Sequence, residues 1–162
     1  VRVEGGRLNG DTRHDTDYVD ILARAVDINA GVWAKAGLSV VAGRNRIGAD
    51  GTTATPLADD GSTKPELAID MGHMCGIYSG QIYMIGIEAG VGVRNQGRHL
   101  QAGKALTISS EGKLSWGSAA QEAVTEAVGD IQMTTRDDID HHGKLYSGGT
   151  LVIESRTGHP DG

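Results

Sequence analysis

The 162-residue chain reads as an all-β protein, a parallel β-helix of about 20–25 residues per coil. Three observations predict this. Short apolar runs of three to five residues alternate with polar residues and are broken by glycine, which is the signal of short strands with tight turns. Runs ending in apolar-x-apolar begin at Leu38, Ile82, Leu106, Ile131 and Leu151, spaced 44, 24, 25 and 20 residues apart. Glycine occurs 25 times, about twice its ordinary usage, while Phe is absent and aromatic residues make up 4%. A narrow interior filled by stacked aliphatics, with glycine at the coil corners, accounts for both excess and deficit.

The elements follow in order. Strands are expected at 1–6, 18–22, 25–28 and 38–41, then at 67–69, 82–85, 91–93, 106–108, 131–133 and 151–153. Four segments share one pattern of glycine, apolar stretch, small residue with glycine, then apolar-x-apolar: 28–40, 74–84, 95–108 and 142–153. A coil cannot bury its inward side chains alone, so it must stack on its neighbours. The 44-residue gap reads as two periods with a loop inside it. Roughly seven coils, spaced about 4.8 Å, would make a rod of about 30–35 Å. An antiparallel sandwich or barrel also uses many short strands. It is disfavoured because hairpin-type pairs are scarce, Asn9-Gly10 and Asp50-Gly51 being the nearest cases. Residues 48–66 lack an apolar period, contain Pro56 and Pro65, and read as an exposed loop between coils. Residues 118–128 fit either a short helix or a widened coil turn, and residues 157–162 read as a tail.

Composition excludes several classes. One cysteine cannot build a disulfide scaffold or a Cys-ligated metal cluster. The glycines have no collagen period. A net charge of −6 argues against a nucleic-acid footprint and against docking on anionic lipid. No apolar run is long enough to span a membrane, and no signal-peptide pattern opens the chain. The chain starts within a strand and reads as a fragment of a longer protein.

Three stretches together resemble the secretion domain of two-partner secretion exoproteins, the group of filamentous haemagglutinin, the large contact-dependent inhibition proteins and related haemolysins. They are 1–9; 17–45, with Asn29, Gly31, Gly43 and Asn45; and 68–97, with Gly76, Tyr78, Gly80, Glu88, Gly90, Gly92, Arg94, Asn95 and Gly97. The run Glu88-Ala89-Gly90-Val91-Gly92-Val93-Arg94-Asn95-Gln96-Gly97 is the most specific. The resemblance implies a right-handed parallel β-helix in a secreted or surface-exposed adhesin-type exoprotein of a Gram-negative bacterium. It implies export through an outer-membrane β-barrel transporter with POTRA modules, and a role in adhesion or contact-dependent inhibition through a host or bacterial surface receptor or glycan. Residues 1–116 correspond to the C-terminal part of the secretion domain. Residues 117–162 look like the start of the haemagglutinin-type repeats that continue the helix. Two departures stand out. The N-terminal cap with its Asn-rich motifs does not precede Val1, and Cys75 stands where the family more often has a small residue. A chain that crosses the periplasm unfolded benefits from few cysteines, because trapped disulfides block threading.

Candidate chemistry is sparse. His141 and His142 beside Asp137, Asp138 and Asp140 could form a divalent-metal site, but the repeat puts them at a coil corner, where a polar turn is the simpler account. His14, His73, His99 and His159 are isolated. Asp59-Asp60, or the Asp137–Asp140 group, would be the carboxylates of a polysaccharide hydrolase or lyase, yet only Lys64 accompanies the first pair. The 86–92 run has no dinucleotide-binding context, and no serine sits in a nucleophile elbow. Tyr78, Tyr146, Trp33 and Trp116 could present a carbohydrate-stacking face, with a structural ladder as the simpler reading. The expectation is a structural and secretion module with no catalytic residues and no cofactor. The alternatives are a carbohydrate-active β-helix enzyme, or a carbohydrate-binding segment without catalysis. A solenoid lacking its cap exposes strand edges. The isolated chain is therefore expected to self-associate as concentration rises; a monodisperse monomer in light scattering over a wide concentration range would count against this.

Overall fold

The computed structural model describes residues 1–8, 17–48 and 53–156. His14, His159, Asn9-Gly10, Asp50-Gly51, the 157–162 tail and positions 49–52 of the 48–66 loop lie outside the described residues. The strands are β1 (Arg2–Leu8), β2 (Tyr18–Ala23), β3 (Val26–Ala42), β4 (Asn45–Ile47), β5 (Ala54–Pro56), β6 (Leu67–Met71), β7 (Gly76–Gly86) and β8 (Gly92–Asn95). They continue with β9 (His99–Ala102), β10 (Leu106–Ser110), β11 (Leu114–Trp116), β12 (Ala123–Ala127), β13 (Ile131–Thr135), β14 (Ile139–His141), β15 (Gly143–Ser147) and β16 (Leu151–Ser155).

All pairings are parallel except β4 with β5. They build a parallel β-helix with three faces. The first face stacks β1, the start of β3, β6, β8, β11 and β14. The second stacks the end of β1, the middle of β3, the start of β7, β9, β12 and β15. The third stacks β2, the end of β3, the end of β7, β10, β13 and β16. Among the described residues each face therefore has six rungs, about 24 Å from first to last at about 4.8 Å spacing.

Register follows the apolar period. On the third face Val19, Leu38, Ile82, Leu106, Ile131 and Leu151 are successive partners. Two residues on, Ile21, Val40, Met84, Ile108, Met133 and Ile153 form a second inward column. A one-residue slip would turn the buried members of these columns to water, so burial locks the register. Trp116 points into the lumen, is fully buried, and donates its indole N–H to Thr125 Oγ1 on the second face at 2.9 Å. One large ring thus bridges two walls, and its polar atom is satisfied.

Three expectations change. Leu38 pairs directly with Ile82, so the 44-residue gap is one coil carrying an insert and not two periods. That accounts for six rungs where seven were expected. The 48–66 insert is not all loop: β5 folds back on β4 as an antiparallel hairpin, with Asn45 opposite Pro56. Residues 118–128 contain neither a helix nor a merely widened turn. Ser118 and Gln121 close a tight turn by exchanging backbone hydrogen bonds, and β12 follows. Ala123, Thr125 and Ala127 point in while Val124 and Glu126 point out, so the governing period is two. The waiting edge of β9 supplies the pairing that an isolated helix would have had to supply internally.

Ile108 has no exposed surface and sits mid-column. Ile108→Ala is expected to cost about 2–5 kcal/mol in urea unfolding. Thr107→Ala, on the outward side of the same strand, is expected to stay within about 0.5 kcal/mol.

Candidate functional site

The residues singled out in the sequence fall mainly at the three corners of the coil. At the corner between the first and second faces, Asn29 reaches one coil up and its Oδ1 accepts the Met74 backbone N–H at 3.1 Å. At the same corner, in the column of Ile28 and Met71, Asn95 is fully buried, and its Oδ1 accepts the Gly97 N–H at 2.8 Å. Gly97 lies against the Cys75 carbonyl of the preceding coil. At the corner between the second and third faces, Gly80 sits on the Lys35 and Ala36 carbonyls. Just outside the first face, Arg94 grips Asp70 on the neighbouring rung with two hydrogen bonds of 2.9 and 2.7 Å. Gly92 in the same strand lies against the Lys113 carbonyl.

The third corner carries a clasp. The Arg24 guanidinium donates to both oxygens of Glu88, at 3.1 and 2.8 Å. Arg24 follows β2 and Glu88 follows β7, so the pair spans the corner of the intervening coil, where Gly43 sits. Gly43 has φ +128°, and a Cβ there would stand 2.9 Å from the Glu88 nitrogen and 2.8 Å from the Ile87 side chain. Both the conformation and the close approach demand glycine. Gly90, with φ +76°, completes the turn after Glu88. Asn45 Nδ2 donates to the Gly43 carbonyl at 3.0 Å. The insert hangs on this corner through Arg44–Asp60 at 2.5 Å and through Lys64 donating to the Ala89 carbonyl, while Lys64–Asp59 at 3.1 Å ties the insert to itself. Asp59-Asp60 therefore has Arg44 as a second cationic companion, which the hairpin supplies. The hydrogen bonds from Arg24 hold the Glu88 carboxyl below its ordinary range despite its burial.

On the second face the outward column runs Trp33, Tyr78, Gln101, Glu126, Tyr146. Trp33 and Tyr78 stack at 5.4 Å and 17°. His99 tilts against Tyr78 at 5.7 Å, and its Nε2 lies 3.2 Å from Glu126. Gly31 lies beneath the Trp33 ring, which occupies the space a Cβ would need, and Gly76 lies beneath Tyr78. The sequence-level aromatic face is thereby corrected. Tyr78 and Tyr146 share a column, but Gln101 and Glu126 stand between them. Trp116 is inside the rod.

The His/Asp group at the C-terminal end does not converge. His141 faces inward above Trp116, and its pKa is lowered by burial and by His142. His142 pairs with Asp140 at 3.0 Å, and Lys113 lies 3.7 Å from Asp140. Asp137 accepts the Asp138 N–H. Among the described residues no group of three or more His, Cys, Asp or Glu is placed to hold a metal ion. His73 is exposed at a corner. Sequence reasoning missed Asp70 and Arg24. Asp70 was findable, because it precedes Arg94 by one 24-residue coil. Arg24 was hidden by the insert, which breaks the spacing to Glu88.

Two outcomes follow. Glu88→Gln is expected to lower stability by about 1–3 kcal/mol at neutral pH, as for loss of a hydrogen-bonded charge. Because the folded pKa is depressed, this stabilisation is present above the unfolded carboxyl pKa and lost as pH falls through the folded one. The gap between the two proteins in denaturant melts should therefore close in acid; a gap constant with pH would contradict the clasp. Burial pushes the Cys75 thiol up to about 12. Iodoacetamide should accordingly leave the native protein unmodified at neutral pH and label it on unfolding, as mass spectrometry will show.

The comparisons with known proteins converge. Residues 1–116 match the model of the TPS secretion domain, TPS standing for two-partner secretion. The chain is 36% identical over 158 residues to the tRNA nuclease CdiA of Escherichia coli strain NC101, covering 97% of this chain and 4% of that protein. It is 32% identical over 133 residues to the toxin CdiA of Yersinia pestis, covering 82% of this chain and again 4% of the relative. The crystal structure of the filamentous hemagglutinin secretion domain superposes with a TM-score of 0.70 at 29% identity, covering 85% of this chain and 47% of that one. The chain thus spans a small fraction of the curated relatives it matches, and within that span it belongs to the TPS secretion domain family, the secretion modules of two-partner secretion exoproteins.

Proposed function

We propose that this module is exported through an outer-membrane β-barrel transporter with POTRA modules, and that it belongs to an exoprotein secreted or held at the surface of a Gram-negative bacterium. The observation that carries the reading is the rung architecture. Each strand bonds only to the rungs directly below and above it, so the rod can assemble coil by coil as chain emerges from a pore. The motif residues Asn29, Gly31, Gly43, Asn45, Gly76, Tyr78, Gly80, Glu88, Gly90, Gly92, Arg94, Asn95 and Gly97 act as structural determinants of that stacking. Residues 1–116 are the C-terminal part of the secretion domain. Residues 117–162 begin the haemagglutinin-type repeats that extend the same solenoid.

The parent protein's task is contact-dependent inhibition or adhesion through a surface receptor or glycan. Support comes from relatives named toxin and tRNA nuclease CdiA. The module itself performs no catalysis, and the nuclease activities in those names belong to other parts of those proteins.

The test places Ile82→Asp and Thr107→Ala in the parent exoprotein, beside its cognate transporter. An aspartate in the third-face column breaks rung stacking, because a buried unpaired carboxylate is costly. Export to the medium or cell surface should collapse in the first variant and in a transporter deletion, and persist in the second. Wild-type export of the Ile82→Asp protein would refute the assembly-coupled reading.

A further inference from the structure

The ring-bearing side chains of this rod differ in availability, and Tyr146 stands exposed on the second face with no ring beside it among the described residues. Trp33, Tyr78 and His99 spend their faces on one another, and Trp116 is in the lumen. Tyr18 and Tyr83 instead stand on the outer side of the third face, 66% and 43% exposed. They flank one groove of about 280 Å³, whose floor is Gly37, Leu38 and Ser39 and whose rim carries Asp20, Gln81 and Lys104.

Register fixes the layout. Tyr18 is the partner of Gly37, which in turn partners Gln81, and Asp20 is the partner of Ser39, which partners Tyr83. The two rings therefore sit two rungs apart, roughly 10 Å along the rod, and diagonally offset by two residues along the strand. The Tyr18 ring lies over Gly37, where an added Cβ would stand 3.2 Å from it. Among the described residues the side chains of Asp20, Gln81 and Lys104 hold no hydrogen bond or ion pair. Elsewhere on the rod Arg2–Asp27, Arg24–Glu88, Asp70–Arg94 and Glu111–Arg136 are paired. The groove thus combines two exposed rings with an unspent carboxylate, amide and ammonium, on a rigid sheet.

We propose that this groove binds a short hexose-based oligosaccharide. A sugar ring has a C–H face of partial positive charge, which packs on the negative face of an aromatic ring. Its hydroxyl rim both donates and accepts. Asp20 and the Gln81 carbonyl take donors, and Lys104 and the Gln81 amide serve acceptors. Two rung spacings combined with two residues along the strand put the ring-bearing positions about 12 Å apart, a span that suits alternate sugars of one chain better than a single compact ligand. A Gly-Leu-Ser floor lets the sugars approach the sheet closely. The proposal does not depend on the route of export.

The test uses the 162-residue chain on an array of immobilised neutral, amino and acidic oligosaccharides, followed by calorimetric titration with the strongest array ligand. Binding is expected, with Tyr18→Ala and Tyr83→Ala each weakening it about tenfold or more. Tyr146→Ala, an exposed tyrosine on another face, should leave affinity unchanged. Asp20→Asn and Lys104→Gln, which remove no packing, should also weaken binding and so guard against loss of fold in the tyrosine variants. Absence of any array ligand, affinity indifferent to Tyr18 or Tyr83, or an equal loss in Tyr146→Ala would each overturn the proposal.

Discussion

The rest of this structure depends on in-register parallel hydrogen bonding between successive rungs. A parallel strand cannot satisfy its own backbone; its N–H and C=O groups must find partners on two neighbours. Here each interior rung meets that need on both sides, and the inward aliphatics of one coil land on those of the next. The two demands reinforce each other. A slip that kept the hydrogen bonds would expose the columns, and a column without hydrogen bonds would bury unpaired backbone. Narrow columns favour Ile, Leu, Val and Met over rings, which is why the chain manages without phenylalanine.

Corners carry the second layer of specification. Three faces need three bends per coil, and the bends are where side chains can reach between coils without crossing the lumen. Asn29, Arg24–Glu88 and Asp70–Arg94 all connect different rungs near a corner or on an outer face. The Arg24–Glu88 clasp passes the Gly43 corner and so ties three rungs together, with glycine as the residue that leaves room. The same corner tolerates a long insert. Leu38 needs only to reach Ile82 on the next rung, and the chain between them is free to build the β4–β5 hairpin outside the rod.

The arrangement also fits the proposed export route. Contacts between neighbouring coils need no distant partner, so a partly emerged chain already contains complete rungs. The one cysteine is buried at a corner and has no disulfide partner within the chain. On the outer side of the rod the aromatic residues differ in availability from face to face.

Much of the fold is legible in the residues. The strand starts at Leu38, Ile82, Leu106, Ile131 and Leu151 are direct partners, because a period of two in polarity and a recurring coil length are both printed in the order of amino acids. Residues 118–128 were ambiguous because Ala-rich sequence suits either period, and only the unpaired edge of β9 settles it as a strand. The 44-residue gap misled the coil count because an insert and a further coil have the same length in one dimension. Of the site, the motif glycines and Glu88 were visible, but the partner Arg24 was not, since pairing across rungs depends on register in space. By itself the sequence determined the solenoid, its interior and its glycine corners, because those follow from local polarity and backbone freedom. Only the tertiary structure decided which charges clasp, which rings are spent on each other or buried in the lumen, and which two tyrosines face the same groove, because stacking brings together residues whose separation along the chain carries no trace of their contact.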